Sequence, residues 1–82
     1  MKAYGYSTGN LATLLELQEV TLAPDSVSEL RVVADFLLEV AKQIEAQALE
    51  SDHVHLEDRH PEAALGLRFV VSAAALEDGL RP

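Results

Sequence analysis

No cysteine and no tryptophan occur in the 82 residues, and phenylalanine and tyrosine appear twice each. The first absence excludes a disulfide framework, a thiolate metal site and a cysteine nucleophile. The second leaves the core to Leu, Val, Ala and Ile rather than to large rings. Cations are also scarce, with six Lys and Arg against 14 Asp and Glu, for a formal charge of -8. Such a chain has little with which to displace counterions from a phosphate backbone, so nucleic acid is not expected as a direct ligand. No stretch approaches the ~20 apolar residues of a spanning helix, and the first six residues carry one Lys and no apolar run of the signal-peptide kind. We therefore expect a cytoplasmic protein with no membrane partner.

What is present is enough for one small core. Hydrophobic residues make up 49% of the chain, and a chain this short has no surface to spare for a second core, so residues 1–82 read as a single domain. Residues 2–8 read as a short strand, with Tyr4 and Tyr6 on one face and Ala3, Gly5 and Ser7 on the other. Thr8, Gly9 and Asn10 supply turn chemistry, and a loop running to about residue 13 would return the chain as a hairpin. Residues 14–22 form the second strand, but its alternation changes phase, with Leu15 and Leu17 on one face and Val20 and Leu22 on the other. Either a β-bulge near Gln18 and Glu19 or a short helical turn at 11–15 accounts for the change.

Ser26-Val27-Ser28-Glu29 has capping-box spacing and starts a helix that continues to about Leu49. Its stripe Leu30, Val33, Ala34, Leu37, Ala41, Ile44 and Ala48 is expected to face the sheet. Val32 and Phe36, with Val40 beside them, form a second apolar strip on the outer flank, read either as scattered surface hydrophobes or a strip covered by the chain's tail, or as a contact for a second copy or a partner. A strand over 53–56 puts Val54 and Leu56 towards the helix and His53 and His55 on the other face. Residues 57–64 read as loop, broken by His60-Pro61. The clearest strand spans 67–73, with Leu67, Phe69, Val71 and Ala73 inward. Residues 73–82 are expected to be a flexible tail. The predicted fold class is α+β: a two-layer ββαββ unit whose mainly antiparallel four-stranded sheet carries one long helix on one face.

All three histidines fall between residues 52 and 60. His53 and His55 on one strand face stand about 7 Å apart, which would admit Zn or Ni if His60, Asp58 or Glu57 closed over them. Solvated histidines beside acids are the commoner outcome of this pattern, and no cofactor is expected. A histidine next to Asp52 or Asp58 has the chemistry of a general acid-base pair. No nucleophile motif or phosphate loop accompanies it, so no catalysis and no catalytic residue is expected. Residues 50–62 hold five acids and one Arg, a composition suited to docking the Lys and Arg side chains of a basic protein. The partner-binding candidates are accordingly His53, His55, Glu57, Asp58 and His60, with Val32 and Phe36 on the helix.

The run Leu17-Gln18-Glu19-Val20-Thr21-Leu22, then Glu29-Leu30 leading into Ala34-Asp35-Phe36-Leu37-Leu38-Glu39-Val40-Ala41, and finally His53-Val54-His55-Leu56, resembles the small immunity proteins of bacterial polymorphic toxin systems. Within these it is most similar to the group called immunity protein thirty-two, and the resemblance covers about residues 14–72. It implies an intracellular protein that binds and neutralises a cognate toxin by occlusion, without catalysis. The matching positions are Phe36, His53, His55 and Leu56, to which the family pattern assigns no catalytic role. Two other readings stand beside it: a small homodimer joined through its open sheet face or the Val32–Phe36 strip, and a histidine-based metal-binding regulator.

Overall fold

The computed structural model describes residues 1–76, so the expectation of a flexible end lies, from residue 77 on, outside the described residues. In chain order the elements are β1 (Ala3–Ser7), β2 (Asn10–Leu17), α1 (Val27–Glu45), β3 (His53–His55), α2 (Leu56–Arg59) and β4 (Val70–Ser72). The α+β class holds, but the single four-stranded sheet does not: among the described residues β1 pairs only with β2 and β3 only with β4, in two separate antiparallel ribbons. The phase change after Leu17 is where β2 ends, rather than a bulge within a longer strand. Without residues 18–22 in the ladder, and with β3 and β4 only three residues each, little edge remains on which four strands could join.

The first ribbon turns tightly through Thr8 and Gly9, with Ser7 opposite Asn10. Gly9 takes a φ of 81°, a conformation that a Cβ disfavours. Residues 11–13 therefore lie in β2, in neither the longer loop nor the helical turn the sequence suggested. Further from the turn the register is Ala3–Leu17, Tyr4–Glu16 and Gly5–Leu15, so Ala3, Gly5, Leu15 and Leu17 share one face.

Helix α1 starts where its cap predicts. Ser26 has an extended backbone and its Oγ accepts a hydrogen bond from the Glu29 N–H at 3.2 Å. The Glu29 carboxylate accepts from the Asp25 N–H at 2.9 Å, one residue further out than a standard capping box. Ser26→Ala is expected to cost about 1 kcal/mol, read as a lower urea midpoint with an unchanged slope. At the other end the helix stops four residues earlier than its periodicity implied. Gln47 adopts a left-handed φ of 53°, the Ala48 N–H donates to the Gln43 carbonyl and the Gln47 N–H to that of Ile44. This is a Schellman stop, with Gln in the place glycine usually takes.

The core lies between α1 and the unit β3–α2–β4. Val33, Phe36, Val40, Val54 and Leu56 are buried together, and Val32, Ile44, Leu49, Leu65, Phe69 and Val71 pack against them. Ala73 is also fully buried. Phe36 meets Phe69 edge-on, with ring centroids 6.4 Å apart and planes at 87°.

This arrangement corrects the reading of the helix. The face that packs inward is Val33–Phe36–Val40, rotated by roughly 90° from the predicted stripe at 100° per residue. Phe36, expected on an outer flank, is 0% exposed, and Val32 packs on the core. The largest side chain of the helix takes the one deep position because a ring removes more apolar surface from water than any Leu or Ala beside it. Of the predicted stripe, Val33 is buried and Ile44 packs on the core, whereas Leu30 and Leu37 are 45% and 43% exposed and Ala34, Ala41 and Ala48 are exposed as well.

The C-terminal strand is shorter than predicted. Leu67 is exposed and only Val70–Ser72 pairs with β3, while Phe69 and Val71 point inward as expected. Among the described residues no helix is long and apolar enough to cross a membrane.

Candidate docking site

The His-rich segment folds as a strand followed at once by a turn of helix. In β3, Val54 is buried between His53 and His55, which face outward as alternation requires. Leu56, 1% exposed, ends the strand and begins α2: its N–H donates to the Phe69 carbonyl, and its carbonyl accepts from the His60 N–H. Residues 56–59 were expected as strand end and loop. They coil because Leu56 is anchored in the core while Glu57, Asp58 and Arg59 can all reach solvent or a partner from one short turn.

Each histidine is engaged by a nearby carboxylate. His53 Nδ1 lies 2.8 Å from Asp52 Oδ1, and His55 Nδ1 lies 3.4 Å from Glu57 Oε1. An ionised carboxylate can only accept, so in both contacts the ring N–H is the donor. His60 lies between two acids, 3.8 Å from Glu39 and 3.7 Å from Glu62. Among the described residues no three His, Asp or Glu side chains are grouped so as to hold a metal ion. The closure of His60, Asp58 or Glu57 over His53 and His55 that metal binding would need is thus not the arrangement adopted: two rings turn to acids next to them in sequence, and the third turns to the helix.

One contact was invisible in the sequence. Arg59 Nη1 donates to Glu39 Oε1 at 2.7 Å, and Nη2 donates to Gln43 Oε1 at 2.9 Å, tying α2 to the middle of α1. Arg59 stood out as the single cation among acids, but its partners lie 20 and 16 residues away and nothing in the spacing identifies them. Asp58 is exposed and lines one depression with His55.

Glu57 has its carboxyl held below the usual carboxylate range. Its own backbone N–H is the main cause; partial burial opposes it, and the His55 ring and the Phe69 N–H assist. Oε2 is enclosed without a hydrogen-bond partner of good geometry, so these groups act on the carboxylate chiefly by favouring its charge. A carboxyl lowered on folding stabilises the fold at neutral pH and ceases to do so as pH falls through its folded value. Glu57→Gln is therefore expected to flatten the loss of stability between about pH 5 and pH 3, measured by urea unfolding at a series of pH values.

Beside these residues lies a shallow, open depression of about 360 Å³, lined by Gln43, Glu50, His53, His55, Asp58 and Arg59 among others. Its lining carries carboxylates and half-exposed imidazoles. Of the predicted contact residues, His53, His55 and Asp58 line this depression, Glu57 pairs with His55 beside it, His60 turns towards Glu39 and Glu62, Val32 is partly buried against the core and Phe36 is buried within it. Comparison with protein-family models, curated proteins and solved structures returns no match.

Proposed function

We propose that this chain is a non-enzymatic binding protein of the cytoplasm that neutralises a cognate toxin by covering its working surface. The observation that carries the reading is the ledge formed by β3 and α2. Asp52, Glu57 and Glu62 each stand beside one histidine there, Asp58 is exposed next to Glu57, and Arg59 is committed to Glu39 and Gln43. A face with acids turned outward and its one cation drawn inward is complementary to a basic protein surface, and the charge of -8 speeds encounter with it. The likeness of His53-Val54-His55-Leu56 and of the Phe36 helix to immunity proteins of polymorphic toxin systems supplies the class of partner.

The test is growth. Cells expressing the polypeptide encoded directly upstream should die without this chain and survive with it. Killing that co-expression of this chain does not relieve would refute the immunity reading.

A further inference from the structure

The β1–β2 ribbon adds nothing to the core of its own chain. Every residue of β2 is exposed, Leu11, Leu14, Leu15 and Leu17 among them, and no buried residue precedes Val33. The helix has a matching vacancy. Leu30, Ala34, Leu37 and Ala41, at i, i+4, i+7 and i+11, form an apolar stripe in water beside the face that packs on β3–β4.

The surface area sets the scale of what is missing. A compact monomer of 8.9 kDa exposes about 4,800 Å², whereas this chain exposes 6729 Å². Discounting the six C-terminal residues outside the described chain at the area of an extended chain, roughly 950 Å², still leaves about 1,000 Å² in excess. An excess of about 1,000 Å² per chain is what each partner contributes to an interface of some 2,000 Å², the lower bound of obligate dimers.

We infer that the occupant of the stripe is the β1–β2 ribbon of a second copy, given reciprocally in a two-fold arm-exchanged dimer. The face offered is Ala3, Gly5, Leu15 and Leu17: small residues on β1, which let a helix approach closely, opposite leucines on β2. Leu17 already lies over Gly5, 3.1 Å from where a Cβ would stand. Charge selects this contact over other self-contacts. Residues 1–24 carry only Lys2, Glu16 and Glu19, so seven of the eight net negative charges lie beyond them. Two copies of a chain with charge -8 meet with least repulsion through the ribbon. This inference is independent of the toxin reading.

Sedimentation equilibrium of the full chain is expected to give twice 8.9 kDa. Leu37→Glu and Leu15→Lys should each halve that mass while far-UV circular dichroism keeps the helix, because neither residue is in the core. Mixing the two variants should restore a dimer, since in the mixed pair one interface sets the introduced cation against the introduced anion and the other is unmodified. Three results would overturn the inference. They are a monomeric parent at millimolar concentration with its ribbon packed on its own helix, a monomeric parent with its ribbon unpacked and left to a different partner, and a dimer that survives both substitutions.

Discussion

Phe36→Ala is expected to lower the midpoint of thermal unfolding by at least about 12 °C. The ring is fully buried, edge-on to Phe69, and sits where Val33, Val40, Val54 and Leu56 converge. Truncating a buried Phe to Ala costs about 3–5 kcal/mol in transfer and cavity terms, and in a domain of this size each kcal/mol shifts the midpoint by about 4–8 °C. The total stability of such a domain is only about 4–12 kcal/mol, so the loss is a large fraction of it. A charge at position 36 would unfold the chain rather than separate a pair of chains. The control is Leu38→Ala, two residues on but 61% exposed, which should move stability by no more than about 0.5 kcal/mol. Melting curves followed at the helix signal distinguish the two variants; equal midpoints would place the helix face wrongly.

Leu56→Ala is the second large effect, about 2–5 kcal/mol. Leu56 is the joint between β3 and α2, and it is flanked by His55 and Glu57 of the proposed docking ledge. Its loss leaves a cavity beneath α2 and loosens the turn that presents Glu57 and Asp58. Leu56→Ala should thus both destabilise the chain and disturb the His55 ring, seen as changed ring chemical shifts by NMR. His55→Ala, at a half-exposed site, should leave the melting temperature nearly unchanged. A Leu56→Ala protein as stable as its parent would mean that the β3–α2 joint is not part of the core.

How much of this was legible depends on whether a signal is local. Ser26 and Glu29 announce the start of the helix because a cap is a contact between neighbours, and Thr8-Gly9 announces the turn for the same reason. The alternation of His53-Val54-His55 correctly turned Val54 inward and the imidazoles outward. The rotation of α1 was not legible. The helix is apolar over more than half its circumference, so periodicity alone cannot say whether Leu30–Leu37 or Val33–Phe36–Val40 meets the rest of the chain. Nor could the sequence show that the two ribbons stay apart, since pairing between strands distant along the chain leaves no mark in either. At the ledge, the acids and histidines were evident from composition, whereas the Arg59–Glu39–Gln43 clasp exists only once α2 lies against α1.

The central claim is that the acids of the ledge are the docking surface, and calorimetric titration of this chain with the polypeptide encoded directly upstream tests it most directly. Asp58 and Glu62 are exposed and lie outside the buried core. Asp58→Lys and Glu62→Lys should therefore leave the melting temperature unchanged and each weaken binding about tenfold, or about 1.4 kcal/mol, more at low salt than at high. Equal affinities for parent and variants at every salt concentration, or no binding at all, would contradict it.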